Sequence, residues 1–119
     1  MMFKFFRKKE IEMAERELER IAGEAEKIDA QRIDALYKIA QNYLKLMKYL
    51  SKDNRKPTSL EIDYPNIVTD VGTFDFLSMR NLPASLQELH YEIDALTAEY
   101  GFEHEEIEAA LLEKINQEW

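Results

Sequence analysis

The sequence predicts an all-α or nearly all-α single domain over residues 1–119. A long N-terminal helix is expected to pack against a C-terminal helical hairpin, with one short β-hairpin or extended excursion at 58–78. Three observations lead there. From Lys8 to about Ser51 there is no Pro, and Gly23 is the only Gly. Fourteen apolar residues of that stretch, Ile11, Ala14, Leu18, Ile21, Ala25, Ile28, Ile33, Leu36, Ile39, Ala40, Tyr43, Leu46, Met47 and Leu50, fall within an arc of about 160° on a helical wheel, the broad stripe of a helix with one buried face. The whole chain has only 3 Gly and 3 Pro among 119 residues, too few for the frequent turns of an all-β fold.

The long helix is placed at 8–51, about 65 Å long at roughly 1.5 Å per residue. Its stripe reads as two heptad registers, 11-14-18-21-25-28 and 33-36-40-43-47-50, offset by one residue between Ile28 and Ile33. An eleven-residue local repeat in a continuous helix absorbs such an offset, and so does a break near Gly23 to Asp29. Asp29 and Arg32 fall in the stripe where the registers change. They read either as an exposed i,i+3 pair or as a buried polar pair that fixes register or partner choice.

SKDNRKP at 51–57 is a stop signal, with Ser, Asp and Asn among terminal bases and then Pro57. Beyond it the period changes from helical to two. Leu60, Ile62 and Tyr64 alternate with polar residues, as do Phe74 and Phe76 after Gly72. These are two short strand-like pieces, expected either to pair as a hairpin lying on the helices or to plug the core as an apolar loop. A helix over 83–100 follows, opened by Pro83 and carrying apolar residues at Leu82, Leu86, Leu89, Ile93, Leu96 and Tyr100. Gly101 then reads as a left-handed C-cap, with Phe102 as its hydrophobic contact. The last helix, 103–118, carries Ile107, Ala110, Leu111 and Ile115, and acids crowd its first turn as the helix dipole favours. The stretch YGFEHEEIEAAL resembles the corner of a ubiquitin-associated domain, in which a Gly-Phe turn joins two helices and a later Ala-Leu packs. The cap at Gly101 and the contact from Phe102 account for the likeness, and no family is assigned from it.

The composition also bounds the chemistry. There is no cysteine, so disulfides, thiolate metal sites and cysteine nucleophiles are excluded. A cytoplasmic location is the expectation, since no apolar run approaches the roughly 18 residues of a spanning helix. Nor does the N-terminus have the apolar core and cleavage site of a secretory signal. The two His residues each precede an acid by four, His90 with Asp94 and His104 with Glu108. A His and a carboxylate one turn apart can ligate a metal or form a general-base pair. In so acidic a segment the spacing arises by chance, and a solvated or capping role is expected for both. Scattered glycines cannot build a phosphate loop, and there is no G-x-S-x-G elbow. No catalytic, cofactor or metal site is therefore expected.

The net charge of −8 is strongly segregated. Residues 1–9 hold four bases and no acid, and residues 35–56 hold six bases against one acid. Residues 57–119 hold fourteen acids against Arg80 and Lys114. An acidic surface is expected at Glu88, Glu92, Glu99, Glu103, Glu105, Glu106 and Glu113. Lys38, Lys45, Lys48, Lys52, Arg55 and Lys56 scatter around the polar face instead of forming a ridge, so nucleic acid is not the favoured partner. In the opening MMFKFFRKKE, Phe3 lies on the helical stripe with Phe6 beside it, while Phe5 falls opposite. That is not the two-faced pattern of an interfacial anchor, so membrane contact by residues 1–9 ranks below packing.

Two helices of about 16 residues, roughly 24 Å each, cannot cover a helix of 65 Å. The stripe at Ile11, Leu18, Ile21 and Ile28 therefore wants a partner, most simply the same helix of a second copy in a coiled-coil dimer. The expected interface comprises Phe3, Phe6, Ile11, Leu18, Ile21, Ile28, Asp29 and Arg32. The expected function is that of a small acidic interaction protein, an adaptor or regulator with no chemistry of its own. The alternatives are an acidic, immunity-like inhibitor that blocks a basic enzyme or nucleic-acid-binding protein and a peripheral membrane protein.

Overall fold

A computed structural model describes residues 29–76 and 81–119. Among these residues the chain is mostly helical and carries one small antiparallel sheet. Helix α1 occupies the described residues 29–50. Strands β1 (Leu60–Asp63), β2 (Asn66–Thr69) and β3 (Gly72–Asp75) follow, then helices α2 (Ala84–Tyr100) and α3 (His104–Glu118). The expected helix over 8–28 lies outside the described residues. Residues 34–119 form one compact unit.

The mostly helical expectation stands, and the sheet corrects its short β-hairpin excursion. The two alternating pieces do form strands, but they do not pair with each other. Each pairs with β2 between them, in the order β1-β2-β3. Two-residue turns decide this, because a tight connection places sequential strands side by side. Tyr64 and Pro65, joined by a cis peptide bond, link β1 to β2. Asp70 and Val71 link β2 to β3, which begins at Gly72 with φ +136°. The register aligns Ile62, Ile67 and Phe74 in one row, and all three are buried. The opposite face carries Glu61, Val68 and Thr73 in register, all exposed. A sheet of three short strands becomes stable by laying one apolar face on helices, and this one does so. The edge of β1 is tied to α3 by the Ile62 amide, which donates to Glu108 Oε1 at 2.7 Å.

Asp70 closes the far end of the sheet. Its carboxylate accepts from the Thr58 amide at 2.9 Å, the Thr58 hydroxyl at 2.6 Å and the Ser59 amide at 3.2 Å. These bonds, led by that of the Thr58 hydroxyl, pull its pKa from the ordinary 3.8 down to about 2. A lowered folded-state value means the stabilisation is whole above the ordinary pKa and fades as pH falls towards 2. Asp70→Asn is therefore expected to lower stability at neutral pH and to flatten the acid limb of the stability profile. Urea unfolding repeated from pH 6 to pH 2 reads both.

The helix ends follow local chemistry. Pro83 stands at the N-cap of α2 with φ −53° and ψ 148°, just before the first helical residue. Gly101 adopts the left-handed conformation, φ 64°, and its amide bonds Thr97 O at 2.9 Å. Phe102 also donates to Thr97 O and is itself buried, which completes the cap and its hydrophobic contact. After α1, the Ser51 amide bonds Met47 O at 2.8 Å and Pro57 is buried. Trp119 donates its indole N–H to Asn54 O at 3.3 Å, so the end of the chain pins the loop at 51–57.

The core sits around the C-terminal half of α1. Ile39, Ala40, Tyr43, Leu44, Leu46 and Met47 are all buried, together with Ile93 from α2 and Ile107, Leu111 and Ile115 from α3. No helix of the described residues is long and apolar enough to cross a membrane.

Candidate functional site

Helix α1 changes character along its length. Between residues 39 and 47 only Gln41 and Lys45 escape full burial. This half carries more apolar residues than one stripe needs, because α2, α3 and the sheet surround it on several sides. Two of those sides are fixed by polar links. Asn42 is buried and donates from Nδ2 to Leu89 O at 3.3 Å and to Glu92 Oε1 at 3.0 Å. Lys38 reaches the same carboxylate at 3.4 Å. On the α3 side, Lys48 donates to Glu118 O at 2.7 Å and lies 5.8 Å from the Trp119 ring centre. Lys114 stands over Tyr37 at 5.8 Å. At these described groups the basic stretch meets the acidic part of the chain, and one of the partners is a backbone carbonyl.

Asn42 is the only buried polar side chain of α1 among the described residues. Asn42→Ala is expected to cost about 1–2 kcal/mol, since it removes both bonds and leaves a small void. Urea midpoints of the two proteins check this.

Towards the N-terminus the same helix is bare. Residues 29–31, 33 and 34 are exposed and Arg32 is half-buried. Ile33, which belongs to the stripe by spacing, is 52 % exposed. Of the expected interface residues, Asp29 is exposed and Arg32 half-buried. Phe3, Phe6, Ile11, Leu18, Ile21 and Ile28 lie outside the described residues.

The acidic surface is presented mainly by α2 and α3. Glu88, Glu99, Glu103, Glu105, Glu106 and Glu113 are exposed. Glu92 is not part of it, because Asn42 and Lys38 hold its carboxylate against α1. Tyr91, 62 % exposed, stands among these acids on α2.

Of the two His residues, only His90 departs from expectation. His90 is neither solvated nor a cap: it is 4 % exposed. Its ring stacks on Phe76 at 5.9 Å and on Tyr64 at 6.5 Å. Nδ1 lies 3.4 Å from Asp94 Oδ2, an ion-pair distance, yet neither ring nitrogen has a hydrogen-bond partner. At 3.4 Å the contact is long for a hydrogen bond, and none is formed. Tyr43 belongs to the same cluster. Burial, then the nearby Asp94 and Tyr64, push its hydroxyl above the ordinary tyrosine range. Closed under two rings, His90 offers no face to a substrate. Nothing in the sequence signals this cluster, because Tyr64 and Phe76 meet His90 only through the turn and end of the sheet. His104 opens α3 and is exposed, and the carboxylate of Glu108 is taken up by the Ile62 amide. Among the described residues no group of three or more His, Cys, Asp or Glu side chains is placed to hold a metal.

Comparison with protein-family models, with curated proteins and with solved structures gave no match. The functional reading therefore rests on this geometry alone.

Proposed function

We propose that the protein is an interaction module without chemistry of its own, which self-associates through the N-terminal part of its long helix and presents an acidic helical surface. One observation carries the reading. The apolar stripe runs in the sequence from Ile11 to Leu50, and among its described positions Ile33 stands 52 % exposed while Ile39, Ala40, Tyr43, Leu46 and Met47 are buried. A continuous apolar stripe left in water favours association with a second one. The same stripe on two copies is self-complementary, the condition for a two-fold dimer. Light scattering tests this on the full chain: Ile33→Glu is expected to weaken self-association at least about tenfold. Unchanged association would remove Ile33 from the interface.

A second reading rests on the exposed acids of α2 and α3, with Tyr91 among them as an aromatic anchor. Such a surface suits an inhibitor steered onto a basic enzyme. Salt-sensitive recovery of a single basic enzyme on the immobilised protein supports this reading, and recovery indifferent to salt counts against it.

A further inference from the structure

Four rings run in contact from the core to the surface. Tyr43 of α1 lies 5.8 Å from Phe76, Phe76 lies 5.9 Å from His90, and His90 lies 6.5 Å from Tyr64. The first three are buried, whereas Tyr64, on the turn between β1 and β2, is 56 % exposed. Tyr64 stacks on His90 with 28° between the ring planes, so its inner face is covered and its outer face meets water. Contact with a buried ring also fixes where that outer face stands.

One carboxylate stands at the rim of this stack. Asp94 Oδ2 lies 3.4 Å from His90 Nδ1, and the Asp94 side chain is 45 % exposed. The Tyr43 hydroxyl, raised first by burial and then by Asp94 and Tyr64, borders the same corner. His90 is nine-tenths buried and aims Nδ1 at the carboxylate without bonding it. A buried polar atom left so, beside a carboxylate open to water, marks a site that the chain alone does not complete. Among the described residues no Lys or Arg pairs with Asp94.

The charge around this corner has one sign. The three strands and α2 carry no Lys or Arg. Arg80, the single Lys or Arg between residues 57 and 113, lies outside the described residues. From α1, Lys38 is held by Glu92. Asp63, exposed and next to Tyr64 in sequence, adds a second acid. Asp94 lies about 120° around α2 from Glu88 at 100° per residue, so the corner is distinct from the exposed glutamates of that helix.

We propose that this corner receives an arginine side chain of another protein, with its guanidinium on the outer face of Tyr64 and its N–H donors on the Asp94 carboxylate. An aromatic face attracts a cation placed within about 6 Å of the ring centre. The flat guanidinium also stacks on the ring while paired donors meet both carboxylate oxygens, and an ammonium makes the charge contact without the stack. An apolar or anionic group would cover Asp94 and leave it unpaired. Because His90 already holds Tyr64 in place, little side-chain freedom is lost on binding. The proposal needs neither self-association nor the outer glutamates, so it is tested apart from both readings above.

The test is heteronuclear NMR on the full chain, titrated with the blocked tripeptide Gly-Arg-Gly. Saturable shifts are expected at Asp94 and at the Tyr64 and His90 rings, with a Kd of about 1–10 mM for one side chain. Tyr64→Leu leaves a side chain over His90 but no aromatic face, and Asp94→Asn removes the charge. Each is expected to weaken binding at least about fivefold. Asp53→Asn, in the loop after α1, is expected to leave binding unchanged, which separates this corner from a general response to acidity. The peptide with citrulline for Arg is expected to give no saturable shift, and the peptide with Lys to bind at least about threefold more weakly. Titration of Arg80→Gln repeats the measurement without the chain's own arginine as a competitor. No saturable binding by either the wild type or Arg80→Gln overturns the proposal. So does equal binding of the citrulline or lysine peptide, or undiminished binding by Tyr64→Leu.

Discussion

Leu111→Ala is expected to lower the stability of the fold by about 3 kcal/mol. Leu111 is fully buried at the middle of α3 and belongs to the cluster that joins α1, α2, α3 and the sheet. Its neighbours Ile107 and Ile115, one turn away on either side, are buried as well, so the truncated site has little freedom to collapse. The cost then combines the lost transfer of the removed methyls with a cavity that stays open. Ile33→Ala makes the contrast. An isoleucine that is 52 % exposed should change the stability of the compact unit by no more than about 0.5 kcal/mol. Urea unfolding of both variants, at the same low chain concentration, separates a residue that holds the core from one that the core leaves exposed. A loss below about 1 kcal/mol at Leu111 would contradict its place in the core.

His90→Phe is expected to act in the opposite direction and stabilise the fold by about 1 kcal/mol. His90 occupies an aromatic slot between Phe76 and Tyr64, and both of its ring nitrogens are buried without hydrogen-bond partners. Leaving a buried polar atom unsatisfied costs about 1–3 kcal/mol, and replacing it by an apolar group of similar shape removes that cost. Phenylalanine fills the slot with a slightly larger ring, which offsets part of the gain. Asp94 is exposed enough to regain water when its neighbour is lost. A destabilisation greater than about 1 kcal/mol would show that the contact with Asp94 sustains the fold.

The helical elements were legible because their signals are local. Pro83, Gly101 and the spacing of Leu86, Leu89, Ile93 and Leu96 fix the ends and the inner face of α2 without reference to the rest of the chain. The sheet was legible only at its outer strands, where Ile62 and Phe74 alternate with polar neighbours. The middle strand, Asn66–Thr69, sets two apolar residues side by side between Pro65 and Asp70, and no period of two is visible in four residues. Its place came from the turns that bracket it. The burial of His90 was hidden for a related reason: its covering rings come from the sheet, remote in sequence, whereas its i,i+4 acid is close and prominent. Glu92 shows the converse. It reads as one more surface acid, yet Asn42 and Lys38 from α1 turn it into a link between helices. The length argument, that two helices of about 16 residues cannot cover a stripe of more than 40, concerns Ile11, Leu18, Ile21 and Ile28, which lie outside the described residues.

Self-association through that stripe is tested most directly by sedimentation equilibrium of the unmodified chain at micromolar concentration. The expected result is a species of about twice the 14.1 kDa chain mass, shifting towards the single-chain mass in Ile33→Glu. A wild-type chain that stays at 14.1 kDa across that range would contradict it.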